Sequence, residues 1–252
     1  MTAGPALQAC RLVKRFGGFV ATNDVTLEVA AGARHALIGP NGAGKTTLVN
    51  LLTGFLEPTS GSVLLGGVDV TRLPQHRRVR RGLARTFQIN RLFADLTVLE
   101  SITLAVCEQR GLGTRFWAPV GAHREAVDEA ADLLGRLRLL DVAHQRTKDL
   151  AYGRQRLIEI ALALAARPSV LLLDEPAAGV PTGESRALFE TLAALPRSVT
   201  IVLIEHDMDL VFRFADRISV LVSGALLTEG PPAAIAADPQ VREVYLGEPA
   251  HG

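Results

Sequence analysis

Apolar residues along the chain occur mostly in short, nearly continuous runs that are separated by stretches with helical spacing. Strands are expected at residues 24–29, 33–38, 62–65, 82–87, 170–173, 199–204, 217–222 and 225–228. Helices are expected at about 45–55, 97–109, 123–140 and 184–195. Apolar strands alternating with helices indicate a mostly parallel sheet that is buried on both faces.

The middle of the chain has a different character, with apolar residues at helical spacing rather than in short runs. In the second of its two helices these residues are Ala126, Ala130, Leu133, Leu134 and Leu137. The pattern predicts a helical insertion between two halves of the sheet.

Composition restricts the possible partners of the protein. The chain has 252 residues, 27 basic and 26 acidic, so no excess charge favours nucleic acid or a strongly anionic surface. Two cysteines without neighbouring metal-ligand residues indicate a reducing compartment. The first residues do not read as a signal peptide, and no apolar run has the length of a membrane span. A role at a membrane would therefore depend on a membrane-bound partner.

A phosphate-binding loop is predicted directly after the strand at 33–38. The residues that fit G-x-x-x-x-G-K-[ST], with the threonine that follows, are Gly39, Pro40, Asn41, Gly42, Ala43, Gly44, Lys45, Thr46 and Thr47. Glycines allow the backbone N–H groups and the helix N-terminus to converge on phosphate oxygens. Lys45 would neutralise phosphate charge, and the Thr46 hydroxyl would be a ligand of Mg²⁺. A glycine-rich turn that binds nothing is the alternative interpretation.

Two acids follow the strand at 170–173, at the sheet edge where open α/β sheets bind ligands. Asp174 is expected to hold Mg²⁺, and Glu175 to position the water that attacks the γ-phosphate. Both could instead cap the next helix. His206 follows the strand at 199–204 and is expected to bond the γ-phosphate, although a histidine at a strand end is often structural.

In this order, the motifs resemble those of the ABC ATPase superfamily, and the likeness covers about residues 7–247. Gln88, in Thr86-Phe87-Gln88, resembles the Q-loop glutamine, which joins Mg²⁺ and water to the permease-facing subdomain. Residues 177–180 resemble the D-loop. Phe16 resembles the aromatic that stacks on adenine, with Phe19 and simple core packing as alternatives. The segment that resembles the signature, which completes the partner subunit's ATP site, is Leu150, Ala151, Tyr152, Gly153, Arg154 and Gln155.

The resemblance implies an α/β fold of the P-loop NTPase (RecA-like) type. This fold has a mostly parallel sheet core, an antiparallel β subdomain and a helical signature subdomain. It further implies one domain over residues 1–252, with the nucleotide-binding core at about 6–88 and 168–230. The helical subdomain would span about 89–167, and a C-terminal extension about 231–252.

Motifs at 83–88, 92–100, 174–179, 204–208 and 241–247 are similar to those of ATPase subunits of branched-chain amino-acid importers. The implied ligands are ATP and Mg²⁺, and the implied reaction is ATP hydrolysis. The implied partners are permease subunits, a second ATPase subunit and, indirectly, a solute-binding protein, with no nucleic acid. The implied location is the cytoplasmic face of the cell membrane.

Three positions depart from the family pattern. Ala151 replaces the signature serine, Arg154 replaces a glutamine, and Pro181 stands where the D-loop tends to have asparagine. Loss of the serine hydroxyl would weaken dimer closure by about 1.5 to 3 kcal/mol, which Arg154 could partly offset. We therefore hypothesise an asymmetric dimer with one weak ATP site; neutral drift is the alternative.

Basic residues are concentrated at 72–91, where a solvated helix face and a surface near permease loops or anionic lipid are both possible. A soluble ABC ATPase that acts on nucleic acid, the ribosome or protein complexes is the main alternative function. Such proteins usually have two cassettes or a long coiled-coil insertion, whereas this chain has a single phosphate loop. A P-loop kinase would require an acceptor site and a lid.

Overall fold

The computed structural model describes residues 4–86, 94–112 and 123–246. The strands are β1 Pro5–Phe16, β2 Phe19–Ala30, β3 Arg34–Ile38, β4 Ser60–Leu65, β5 Val68–Asp69, β6 Leu83–Arg85, β7 Val170–Asp174, β8 Thr200–Ile204, β9 Arg217–Val222 and β10 Ala225–Gly230. The helices are α1 Lys45–Thr53, α2 Gln75–Arg80, α3 Val98–Gln109, α4 Arg124–Arg136, α5 Tyr152–Ala165, α6 Thr182–Ala193, α7 Met208–Phe214, α8 Pro232–Ala237 and α9 Pro239–Leu246.

Six strands form the central sheet, in the order β10-β9-β3-β8-β7-β6. The neighbours β9-β3, β3-β8 and β8-β7 are parallel, while β10 pairs antiparallel with β9. All residues of β3 and β8 are buried, as the continuous apolar pattern predicts for a sheet covered on both faces. The mostly parallel core and the strand positions are therefore confirmed, although β6 covers only Leu83–Arg85.

A second, antiparallel sheet has the order β2-β1-β4-β5. Its strand β1 has no counterpart among the predicted elements. Register shifts between Ala9 and Leu12 and between Leu12 and Lys14 interrupt the apolar alternation of β1. A bulged strand therefore gives a weaker periodic signal than a regular one.

The chain divides into two units. One, here called the core unit, contains Met1–Leu83, Ser169–Glu175 and Arg197–Gly252, and the other, the helical unit, contains Ala84–Pro168 and Pro176–Pro196. In the core unit the buried residues of β3, β7 and β8 pack with α1 and with the antiparallel sheet, for example through Leu48, Leu172 and Val202.

In the helical unit, α3 begins with a reciprocal cap. The Thr97 hydroxyl accepts from the Glu100 N–H, and the Glu100 carboxylate accepts from the Thr97 N–H. The prediction that the next helix runs to residue 140 is wrong, because α4 ends at Arg136. Arg138 has a φ of 57° and breaks the helix, and Leu140–Val142 is a separate 3₁₀ turn.

The arginine-rich segment is only partly a solvated face. Arg78 of α2 is buried and donates to the carbonyls of Leu51, Leu52, Thr71 and Leu73 at 2.7 to 2.9 Å. Its guanidinium therefore satisfies carbonyls at the C-terminal end of α1, which ends at Thr53 rather than near Phe55. Burial lowers the Arg78 pKa.

Candidate functional site

The predicted phosphate loop joins β3 to α1 in the core unit. Gly42 and Gly44 have φ values of 80° and 96°, which side chains rarely adopt. A Cβ added to Gly44 would lie 2.5 Å from the Ala21 carbonyl oxygen, so β2 passes directly against the loop. Gly44 is also the N-cap of α1 and supplies no side-chain cap. The first-turn amides of α1 therefore form a suitable site for an anion.

Lys45 lies across this loop. Its ammonium donates to the Gly39 carbonyl at 2.6 Å and to the Pro40 carbonyl at 3.0 Å. Burial lowers the Lys45 pKa, while the carboxylates of Glu175 and Asp174 act in the opposite direction. The ammonium therefore lies in the field of both predicted acids.

The ends of three neighbouring strands line up at the sheet edge. Leu37 of β3 and Asp174 of β7 are both in register with Ile204 of β8. The phosphate loop, the two acids and His206 therefore leave the sheet side by side, as ligand sites of open α/β sheets do. This register explains why these groups leave the sheet at one edge, as the sequence predicted.

Glu175 has an unusual backbone conformation. Its φ is 47°, in the left-handed region, and its N–H donates to the Ile204 carbonyl at 2.9 Å. Asp174 is partly buried at the end of β7, while the Glu175 side chain is exposed. A non-glycine residue held in this region costs about 1 to 3 kcal/mol, and such residues cluster at functional sites. The turn thus directs two consecutive acids into different surroundings.

His206 has a partner that sequence analysis did not assign. The His206 side chain is 66% exposed, and its Nδ1 lies 3.6 Å from Oε2 of the buried Glu205. The same carboxylate oxygen accepts from the His206 N–H at 3.0 Å. Glu205 therefore holds the backbone of His206 at the sheet edge, and its carboxylate lies next to the imidazole without a hydrogen bond to it. An acid directly before a histidine at a strand end was the available signal for this role.

The two candidate aromatics form one turn. Phe16 and Phe19 pair at the end of the β1–β2 hairpin, and both are large exposed side chains, so neither packs in the core. Lys14 lies 5.2 Å from the centroid of the Phe16 ring. Because Ala21 lies against Gly44, this turn is close to the phosphate loop.

The predicted Mg²⁺ ligands lie partly within the described residues. Thr46 is exposed at the start of α1, and Asp174 ends β7. A hydroxyl and a carboxylate are hard oxygen donors, and Mg²⁺ commonly uses one or two carboxylates together with phosphates and water. These two residues fit the ion. Gln88 lies outside the described residues.

The signature segment lies in the helical unit, at the start of α5. Ala151 is the N-cap and provides no side-chain hydrogen bond. The Gly153 N–H donates to Oε2 of Glu184 in α6 at 3.2 Å, and the Gln155 amide donates to the Leu150 carbonyl at 2.9 Å. The contact of Glu184 with Gly153 was not predicted, because 31 residues separate the two in the sequence.

The substituted signature residue Arg154 has a partner in its own unit. Its guanidinium donates to Oδ2 of Asp141 at 2.6 Å. Tyr152 packs its ring against Gly179 of the D-loop and lies 4.9 Å from the Arg156 guanidinium. The proposed offset of the missing hydroxyl by Arg154 would therefore require the loss of an existing ion pair.

The C-terminal helix also reaches the phosphate loop. Tyr245 of α9 has a buried hydroxyl, and burial raises its pKa to about 12, opposed by the nearby Gly39 N–H. The amide approaches without completing a hydrogen bond. Tyr245 lies in the motif at 241–247, but no pattern in the sequence predicts this contact.

Two family models match the chain. The model described as "ABC transporter" matches residues 22–178, and that described as "Branched-chain amino acid ATP-binding cassette transporter" matches residues 225–251. The second match includes α9.

Curated relatives match almost the full length. The high-affinity branched-chain amino acid transport ATP-binding protein LivG of Escherichia coli (strain K12) is 44% identical, covering 97% of this chain and 98% of LivG. The corresponding protein BraF of Pseudomonas aeruginosa is 43% identical, with the same coverage.

Solved structures give the same likeness. The ADP conformation of an ATP-binding cassette of an ABC transporter superposes with a TM-score of 0.85 at 32% identity, covering 97% of this chain and 99% of that one. A nucleotide-free cassette from an ABC transporter gives a TM-score of 0.83 at 31% identity, covering 97% of this chain and 100% of that one.

Proposed function

The chain belongs to the ABC transporter family of ATP-binding, ATP-hydrolysing subunits, and we propose that it drives import of branched-chain amino acids or a related small polar solute. The proposed solute class comes from the names of the relatives and the C-terminal family match. The observation that carries the ATPase mechanism is the register of β3, β8 and β7, which brings the phosphate loop and both acids to one sheet edge.

In the proposed mechanism, the amides of the loop and of the first turn of α1 bind the phosphates of ATP. Lys45 leaves the Gly39 and Pro40 carbonyls to neutralise the β- and γ-phosphates. Either Phe16 or Phe19 stacks on adenine. Thr46, Asp174 and Gln88 would hold Mg²⁺, which supplies positive charge to the phosphate oxygens when bound.

Glu175 is the proposed residue that positions water for in-line attack, and His206, whose backbone N–H donates to Glu205, would bond the γ-phosphate. This division assigns one acid to the metal and the other to water. The partly buried Asp174 and the exposed Glu175 suit these separate roles.

The proposed assembly is a dimer of ATPase subunits on the cytoplasmic face of a membrane permease. Among the described residues, no helix is both long and apolar enough to cross a membrane. The signature of each subunit would complete the ATP site of the other. The core at 6–88 and 168–230, the helical subdomain at 89–167 and the extension at 231–252 remain part of this proposal.

Purification of the tagged full chain from membranes tests this function. We expect an integral membrane permease and a second ATPase subunit in the complex, ATP hydrolysis, and ATP-dependent uptake of branched-chain amino acids in vesicles. Lys45→Ala should abolish hydrolysis and uptake without releasing the permease. Recovery of active ATPase without any membrane protein would overturn the transport role, and failure of the folded complex to bind ATP would overturn the ATPase.

A further inference from the structure

The first turn of α5 is capped by a carboxylate from another helix. The N–H groups of Arg154 and Gln155 donate to the Ala151 carbonyl at 3.0 and 3.1 Å. The Gly153 N–H instead donates to Oε2 of Glu184 at 3.2 Å. Ala151 has only a methyl group at the position where a serine would supply a cap. Glu184 therefore satisfies an amide that the N-cap residue leaves open.

The contact between Gly153 and Glu184 requires that α5 and the carboxylate approach closely and that the first turn of α6 is held in place. A Cβ added to Gly153 would lie 2.4 Å from Oε2 of Glu184, so any other residue at this position would displace the carboxylate. Next to Glu184, the Ser185 hydroxyl lies 3.2 Å from the carbonyls of Val180 and Pro181, to which it donates. These bonds hold the first turn of α6, and with it Glu184, beside α5.

A phosphate approaching the same amide would meet this negative charge. The basic residues in the first turns of α5 are already paired: Arg154 with Asp141 at 2.6 Å and Arg156 with Glu159 at 2.7 Å. Neither cation can compensate the charge of Glu184 without breaking its own pair. The helix N-terminus still favours an anion, but one amide cannot serve the carboxylate and a phosphate at once.

We propose that Glu184 is a positioning residue that occupies the signature amide of Gly153 until ATP of the second subunit displaces it. This inference rests on the proposed function, because the signature reaches a γ-phosphate only in the nucleotide-sandwich dimer. ATP must then compete with a carboxylate of this chain before the dimer closes. The carboxylate thereby sets the ATP concentration at which closure occurs.

The test uses the full chain, with the second ATPase subunit if one is recovered, in a Glu175→Gln background that blocks hydrolysis. Light scattering measures the ATP concentration for half-maximal dimer formation. Adding Glu184→Gln removes the charge and keeps an oxygen acceptor, so this concentration should fall about fivefold, the effect of one charge about 4 Å away in a water-like medium. Glu190→Gln, an exposed glutamate on the same helix, is the matched control and should change nothing.

A double-mutant cycle with Ala151→Ser sharpens the test. The serine hydroxyl can accept the Gly153 N–H itself and release the exposed Glu184 carboxylate to solvent, away from the phosphate, so the fivefold effect of Glu184→Gln should largely disappear in that background. An unchanged or higher half-maximal ATP concentration in Glu184→Gln would overturn the inference, including a result in which only the melting temperature falls. If the Glu175→Gln chain neither binds ATP nor dimerises, the proposed function itself fails.

Discussion

The N-termini of α1 and α5 differ in what already occupies them. At α1 the N-cap is Gly44, no side chain caps the first turn, and the ammonium of Lys45 stands beside the loop. At α5 the N-cap is Ala151 and the carboxylate of Glu184 holds the Gly153 amide. Both are helix ends assigned to phosphate, yet one is accompanied by a cation and the other by an anion. The difference shows that a motif does not determine how available its amides are.

The largest expected effect concerns the chemistry beside α1. Glu175→Gln should lower ATP turnover about 100- to 10,000-fold and leave nucleotide affinity nearly unchanged, because in the proposed mechanism the carboxylate acts on water rather than on ATP. Steady-state hydrolysis and equilibrium binding of fluorescent ATP measure the two effects, with Glu190→Gln as control. Loss of ATP binding would mean that Glu175 mainly holds Lys45 in place, which would weaken the contrast between the two helix ends.

The second prediction concerns how firmly α1 is held at its other end. Arg78→Met should lower the free energy of unfolding by about 3 kcal/mol, because four carbonyls, two of them in buried hydrogen bonds, lose a charged donor. Arg78→Lys should recover only part of this loss, since an ammonium cannot reproduce the planar fork. Urea unfolding measures the change, and exposed Arg77→Met on the same helix should be nearly neutral.

The third prediction is a pH dependence of the core unit. His35 of β3 is fully buried, its Nε2 lies 2.7 Å from the Ser219 hydroxyl, and Nδ1 has no hydrogen-bond partner among the described residues. Burial lowers its pKa to about 4, while Glu229 raises it and Arg217 lowers it. The unfolded chain, with an ordinary histidine pKa of about 6.5, therefore binds this proton first as the pH falls.

The free energy of unfolding should accordingly have its full value above pH 6.5 and decline by about 3 kcal/mol between pH 6.5 and pH 4. Urea titrations across this range measure the slope. The control variant His76→Asn, at an exposed histidine, should leave the slope of stability against pH unchanged. His35→Asn should remove this slope even if the variant is less stable. A flat profile in the wild-type chain would show that the imidazole is not held neutral beside the loop strand.

The smallest effect is expected at α5. Arg154→Gln introduces the glutamine of the family pattern and breaks the ion pair with Asp141. The two side chains are 40% and 59% exposed, so the free energy of unfolding should change by less than about 1 kcal/mol. Thermal unfolding and ATP turnover of the complex measure the outcome. A large rise in turnover would mean that the arginine, rather than Glu184, distinguishes the two helix ends.

The positions of the glycine-rich loop and of the two acids at the sheet edge were predictable because each depends on a local pattern: a glycine-rich segment or an acidic pair directly after an apolar strand. To these local patterns the structure adds the order of the neighbouring strands, β3, β8 and β7, whose ends lie in register. In contrast, the buried Arg78 donates to carbonyls of α1 and of the loop between β5 and α2, and Glu184 contacts Gly153 from a different helix. Side-chain contacts between elements distant in sequence leave no periodic signal.

Element ends were less predictable than elements. The helix expected to reach residue 140 ends at Arg136, because Arg138 adopts a left-handed conformation. Arginine has no preference for this conformation, so the sequence does not predict it. The bulges of β1 likewise conceal a strand whose buried residues are irregularly spaced.

The contact between Gly44 and Ala21 has a consequence for which nucleotides are accepted. It fixes the β1–β2 turn, with Phe16 and Phe19, at a set distance from the phosphate loop. A phenyl ring stacks on any base but offers no hydrogen bonds to distinguish one from another. In the proposed mechanism stacking is the base contact, so the site would select for the distance from base to triphosphate, and GTP and ATP should be hydrolysed at similar rates.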